Sequence, residues 1–291
     1  MDIKTLEENT LLTRLSIGGW SARKVDKKAT QDAVSANDAQ MSAGRFNKVL
    51  LESPALKRWH SHSHHMRQEH YRLTLPWSDT GERILSKANF DKYRAVMRDL
   101  QQDARGIAAE FAADYDAARE RAKKRLGKLF NETDYPPVSY IVNKFTVSVR
   151  LTPIPTNNDW RVDLGDEAIT ELKQGLEEQY QDMLGQAVND VWQRIYDLLV
   201  KFQERMDDPD KSFNKSMFGN AQDLVELLPG LNITNDPHLT KLTEEMRLQI
   251  VQRDIEAVRH DPAERAEVHK SVTDMLSSMS SFYKPQQEQA A

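Results

Sequence analysis

The chain has 291 residues, 39% of them hydrophobic and 29% charged, with a net charge of −5 and no cysteine. That length can bury a sizeable core in one or two domains, and the lack of cysteine excludes disulfides, thiolate metal sites and a cysteine nucleophile. No uncharged run reaches the ~18 apolar residues of a membrane span. The opening MDIKTLEENTLLTRL carries acids where a secretory peptide has its apolar core, so a soluble intracellular chain is expected.

Residues 1–88 read as an N-terminal helical region, with weak helical character over Lys4–Leu15, Ala29–Ala43 and Phe46–Tyr71. Arg23, Lys24, Lys27 and Lys28 form a basic patch beside Trp20 with no obvious acidic neighbour in sequence. Five histidines crowd into 60–70. On a helix His60 and His64 stand one turn apart, and His65 pairs likewise with Glu69, a spacing that can hold zinc or nickel. A metal site at His60, His64 and His65 would need further ligands from elsewhere, and the bland reading is an exposed polar helix. Asp79-Thr80-Gly81 copies the tripeptide of aspartic proteases. It has no second copy, so Asp79 reads as a turn residue.

The strongest periodicity runs from Asn89 to Phe130, where Tyr93, Met97, Leu100, Ala104, Ile107, Phe111, Tyr115, Ala118 and Ala122 draw one stripe. A second stripe runs from Ile169 through Leu172, Leu176, Tyr180, Met183, Ala187, Val191, Ile195, Leu198 and Phe202 to Met206. Two helices of equal length over 89–206 most simply make an antiparallel, coiled-coil-like hairpin. The fold class expected is therefore mainly α, with flanking short helices.

The connection, about 131–165, opens on the helix stop Asp134-Tyr135-Pro136-Pro137. Alternation over Phe145–Leu151 and again over Trp160–Leu164 predicts a small β-hairpin at the tip. Such a hairpin is marginal alone. Its edge could pair with a second copy or a partner protein through Phe145, Val147, Val149 and Trp160. The competing surface is cationic, with Lys144, Arg150 and Arg161 facing phosphates. Residues 117–162 carry net +5 and residues 163–210 net −9. The run Arg119–Lys128 therefore either pairs with Glu167, Glu171, Glu177 and Glu178 across the helix pair or follows a phosphate backbone.

Beyond the second long helix, Asp208-Pro209, Asp236-Pro237 and Asp261-Pro262 each offer an N-cap with proline at the first helical position. They predict short helices at 212–228, 237–260 and 262–281 within 207–283, and residues 284–291 read as a disordered tail. No nucleotide-binding or hydrolase motif occurs, so no catalytic residue and no cofactor is expected.

Trp20…Lys24-Val25-Asp26-Lys27, then Tyr71-Arg72-Leu73-Thr74-Leu75-Pro76-Trp77 with Asp79, Gly81 and Arg83, then Leu126–Phe130 before Asp134-Tyr135-Pro136, resemble an uncharacterised family of bacteriophages and integrative conjugative elements. The resemblance covers about residues 10–200 and is sharpest at Tyr71–Arg83. It carries no catalytic residue. It implies a mobile-element protein of a bacterial host cytoplasm, encoded among DNA-processing genes, including single-strand binding and recombination proteins and a MoxR-type AAA+ ATPase. The histidine-rich stretch is not part of the pattern. A non-enzymatic accessory protein acting by self-association or partner binding is the expectation. The alternative is a nucleic-acid-binding protein of phage replication or recombination, or a cofactor of the AAA+ ATPase. A metal-dependent enzyme using His60–His70 is the distant alternative.

Overall fold

A computed structural model describes residues 3–155, 166–207, 215–281 and 283–285. The elements are α1 (Ile3–Asn9), β1 (Thr10–Ile17), β2 (Arg23–Val25), α2 (Lys27–Ser35), β3 (Asn47–Val49), α3 (Pro54–Leu73), β4 (Leu75–Pro76) and β5 (Arg83–Ser86). They continue with α4 (Phe90–Leu126), α5 (Val138–Val142), β6 (Val147–Thr152), α6 (Asp166–Asp207), α7 (Lys215–Leu231), α8 (Pro237–Met246), a π-helical turn (Arg247–Val251), α9 (Ile255–His260) and α10 (Pro262–Met279). The chain is mainly helical. Its strands form a two-stranded ribbon, β2-β3, and a four-stranded sheet of order β4-β5-β1-β6.

Two compact units divide the chain. The first gathers residues 1–14, 71–93 and 150–291, and the second gathers 15–70 and 94–149. Charge is segregated between them. The second unit carries 19 lysines and arginines against 13 aspartates and glutamates, net +6, and the first carries 21 against 32, net −11.

Both long helices are present, α4 with 37 residues and α6 with 42. Packing partners within a unit can be named for part of each stripe. On α4, Phe111, Tyr115, Ala118 and Ala122 share a core with Leu50, Leu51, Leu56, Tyr135 and Ile141 of the second unit. The small Ala118 and Ala122 leave room in this core for the leucines after β3 and at the start of α3. The helix ends at Leu126, before the proline pair, because Gly127 turns into the left-handed region at φ 51°.

In the first unit α6 packs on α7, α10 and β4. The buried positions Tyr180, Ala187, Val191, Ile195, Leu199, Phe202 and Met206 form the stripe. Leu199, not Leu198, carries the penultimate turn inward: Leu198 is only half-buried. Phe202 meets Phe218 edge-on at 5.4 Å. Asp236 and Asp261 cap α8 and α10 as their Asp-Pro pairs predict, accepting from His238 N at 2.8 Å and Ala263 N at 2.8 Å. Helix α7 runs through Pro229 and Gly230 to Leu231 instead of stopping there, and 237–260 is interrupted by the π-helical turn. Asp208-Pro209 lies outside the described residues.

The Tyr71–Arg83 motif has a structural explanation within this unit. Leu75 and Trp77 are buried, and the Trp77 ring lies 5.5 Å from Tyr180. Arg194 Nη1 donates to Arg72 O at 2.9 Å, and its Nη2 donates to Tyr71 O at 2.9 Å and Thr74 O at 2.8 Å. These carbonyls belong to the last turn of α3 and the residue after it, where a helix end calls for acceptor partners from outside. Arg83 adds bonds to Thr74 Oγ1 at 2.7 Å and Thr74 O at 3.0 Å, with its guanidinium over the Tyr71 ring. Burial pulls the Arg83 pKa below its ordinary value, with Arg194 acting the same way and Asp190 opposing. Asp79 sits exposed in the β4–β5 turn, which is closed by Gly81 N to Ser78 O at 3.1 Å and by Ser78 N to Glu82 O at 3.2 Å.

The N-terminal expectations change in two places. Thr10–Ile17 is strand rather than helix, with Thr10, Leu12 and Thr13 buried and Arg14 exposed. Its threonines suit a pleated surface better than a helix. Phe46 to Ser53 is extended, so α3 begins only at Pro54.

Candidate nucleic-acid interface

The ribbon of the second unit pairs Arg23 with Val49, Lys24 with Lys48 and Val25 with Asn47, antiparallel. Strand alternation places Lys24 and Lys48 on one face. Asp26 then caps α2, accepting from Ala29 N at 3.0 Å. The chain returns at Phe46, whose O accepts from Asp26 N at 2.9 Å and whose N donates to Thr30 Oγ1 at 3.0 Å. Thr30 is a good residue for this task because its hydroxyl can also bond backward, to Asp26 O at 2.7 Å.

Lys48 lies beneath this surface with its side chain only 4% exposed. Its ammonium reaches Asp26 Oδ2 at 3.0 Å, Leu129 O at 2.8 Å and Asp134 Oδ2 at 2.7 Å. The last is an ion-pair contact rather than an aligned hydrogen bond. Asp134 is 2% exposed, and its other oxygen accepts from Lys24 Nζ at 2.6 Å. Arg125 Nη2 donates to Val49 O at 2.7 Å and Tyr135 OH to Leu50 O at 2.9 Å. The end of α4 and the segment after it are thus fastened along β3 and Leu50 by polar bonds, of which Tyr135 OH to Leu50 O is buried.

Electrostatics follow from this geometry. Burial would raise the Asp134 carboxyl, but hydrogen bonds from Lys24 and Lys48 outweigh it and hold the pKa below its ordinary value. Burial would lower Lys48, but the two aspartates leave it above its ordinary value. Asp26 is held down first by the Ala29 amide and then by Lys48. All three are ionised at neutral pH, and the lysine is fully partnered.

The cage joins two basic stretches that are separate in sequence. Arg23, Lys24, Lys27 and Lys28 are all exposed on or beside the ribbon, and Arg45 and Lys128 flank it. Among the described residues Arg23, Lys27, Lys28, Arg45 and Lys128 have no carboxylate in ion-pair range. The Arg119–Lys128 run finds acids within its own unit: Arg119 with Glu132 at 3.3 Å, Arg121 with Asp114 at 2.8 Å and Arg125 with Glu52 at 3.7 Å. The pairing expected with Glu177 and Glu178 does not appear, and the side chains of Glu167 and Glu171 lie outside the described residues. Lys123 stands 5.9 Å from the Phe130 ring centroid.

Other predicted residues scatter. Phe145 is half-buried against the core, its ring packing on Trp59 at 4.8 Å and Phe111 at 5.0 Å. Val147 and Val149 are half-buried on β6, which neighbours β1 in the sheet. Trp160 and Arg161, and with them the second arm of the tip hairpin, lie outside the described residues. Lys144 covers the exposed Tyr140 ring at 4.8 Å, and Arg150 belongs to the first unit. Trp20 turns inward against Phe111 and Tyr115. His60, His64 and His65 are exposed on α3, while His62 Nε2 bonds to Leu100 O at 2.8 Å and His70 is buried. Among the described residues no three histidine or carboxylate groups come together as a metal site.

Sequence reasoning missed Lys48, and took Asp134 only for a helix stop. The one available signal was an isolated lysine in the apolar stretch Val49-Leu50-Leu51, which alternation would have turned inward.

No family model, curated protein or solved structure matches this chain.

Proposed function

We propose that the protein is a non-enzymatic accessory protein of a bacteriophage or mobile element, working in the bacterial cytoplasm, whose second unit binds nucleic acid. One observation carries this reading. The Lys48 cage gathers Arg23, Lys24, Lys27, Lys28, Arg45 and Lys128 around one ribbon, and five of these six lack a carboxylate partner among the described residues. Unpaired cations on a unit of net +6 repel one another, and the natural relief is a polyanion. The family resemblance supports the same assignment through its DNA-processing gene context.

The test is binding of labelled single- and double-stranded DNA at about 50 and 200 mM salt. Affinity should fall steeply between the two. Lys27→Gln, Lys28→Gln and Lys128→Gln combined should weaken binding and flatten the salt slope by one unit or so per lost contact. A chain that binds neither DNA at 50 mM salt, or a triple variant that binds as well as the parent, removes the proposal.

Self-association is the second reading, favoured by the opposed charges of the two units, −11 and +6. It predicts an assembly seen by light scattering that dissolves as salt rises. An AAA+ ATPase as the partner rests on the gene context alone.

A further inference from the structure

We infer that the ligand of the ribbon surface is a single strand, a conclusion that rests on the nucleic-acid reading above and narrows it. The cations by themselves would suit any phosphate backbone. The apolar side chains set among them do not.

Phe46 is 39% exposed and Leu129 is 38% exposed. Both flank the Lys48 ammonium, Phe46 two residues before it along the strand and Leu129 through the carbonyl bound to it. Phe46 immediately precedes β3, and alternation continued back by one residue puts its side chain on the face that carries Lys24 and Lys48. Its backbone is held on both sides, by Asp26 N to its carbonyl and by its amide to Thr30 Oγ1. The ring is therefore presented by a fixed backbone rather than by a loose loop. Each of the two apolar residues follows a cation in sequence, Arg45-Phe46 and Lys128-Leu129, and neither cation has a carboxylate in ion-pair range among the described residues.

A lone exposed phenylalanine is ordinary on a protein surface. An ordered ring that directly follows Arg45 and lies beside the Asp26 cap of the helix carrying Lys27 and Lys28 is a different arrangement. In a duplex the base faces are stacked on each other, so an exposed ring gains nothing from them. In a single strand, phosphate and free base alternate along the chain. Cations then take the phosphates while the ring stacks on a base. The ribbon is short, with three-residue strands spanning about 10 Å. That is room for a few nucleotides.

The experiment uses the full chain with a labelled 20-mer and the blunt duplex of the same sequence, by fluorescence anisotropy at 50 mM salt. Single strand should bind roughly tenfold tighter than duplex, as one or two stacked bases allow. Phe46→Ala should weaken single-strand binding about five- to tenfold and duplex binding less than twofold, while Phe46→Tyr should keep the parent's preference. If Phe46→Ala melts early, Phe46→Leu replaces it, since it keeps apolar volume and loses the π-face. Duplex bound as tightly as single strand, or the two weakened equally by the Phe46 change, overturns this inference and leaves the nucleic-acid reading standing. Failure to bind either ligand sinks both. If light scattering then finds a salt-sensitive assembly, the surface takes a second copy instead.

Discussion

Lys48 Nζ and Asp134 Oδ2 stand 2.7 Å apart, and both side chains are almost fully withdrawn from water. They come from β3 and from the segment after α4, 86 positions apart in the chain. A buried ion pair adds little compared with an apolar pair of the same shape, but breaking one by removing a single partner leaves a buried charge uncompensated. Lys48→Met should therefore destabilise the second unit by about 3 kcal/mol. Lys48→Met with Asp134→Leu should recover a large part of that loss. Urea unfolding of the two variants checks this. A double variant as unstable as the single one would show that the site needs its charges for more than satisfying each other.

The same cage sets a pH window. Asp26 and Asp134 are depressed below the ordinary aspartate value of 3.8, so their contribution is present above it and fades as pH falls through their folded values. Lys48 is raised above 10.5, so its contribution is present below that value and fades as pH rises past its folded value. The stability difference between the parent and Lys48→Met should be largest near neutrality and shrink clearly by pH 3. Urea midpoints of both proteins at pH 7 and pH 3 read this directly. An unchanged difference would mean that the aspartates are not held by the lysine.

Arg194 makes three bonds to the end of α3 and an ion pair with Asp190 at 2.7 Å. Only the planar fork reaches carbonyls on both of its arms, so lysine cannot replace it. Arg194→Lys should cost the first unit about 2 kcal/mol, seen as a lower melting temperature. Asp79→Asn, in the exposed turn of the same motif, should leave the melt unchanged.

Two adjacent leucines on α6 should behave differently. Leu199 is fully buried and Leu198 only half so. Leu199→Ala should cost about 2–5 kcal/mol and Leu198→Ala distinctly less. The reverse order would mean that the helix is rotated from its described face.

Gly230 packs its Cα against a buried asparagine. A Cβ there would come within 2.3 Å of Asn89 Oδ1 and 2.6 Å of its Cγ. Asn89 is buried and its amide nitrogen has no partner among the described residues, so the side chain has no ready place to swing. Gly230→Ala should destabilise by about 1–3 kcal/mol despite alanine's better helix propensity. Adding Asn89→Ala should remove most of the loss, which a double-mutant cycle by thermal melting would reveal.

What the sequence determined by itself was local. The three- and four-residue spacing of Tyr93 to Ala122, and of Tyr180 to Met206, was enough to specify α4 and α6, because a helix brings those positions onto one side whatever it packs against. The Asp236-Pro237 and Asp261-Pro262 caps were legible for the same reason, since a cap is a contact between near neighbours. The exposed Arg23, Lys27 and Lys28 could be read as a patch because they lie within six residues. Which surface covers each stripe was a tertiary decision. Equal lengths suggested that α4 and α6 cover each other, but periodicity records that a face is buried and not by what. Here Leu50, Leu51 and Leu56 pack with the second half of one stripe, and α7, α10 and β4 pack on α6. The join between the two basic stretches was beyond reach as well. It depends on Lys48, Asp26 and Asp134 meeting in a space that water leaves only once both long-range segments are in place, and no spacing rule connects residues so far apart.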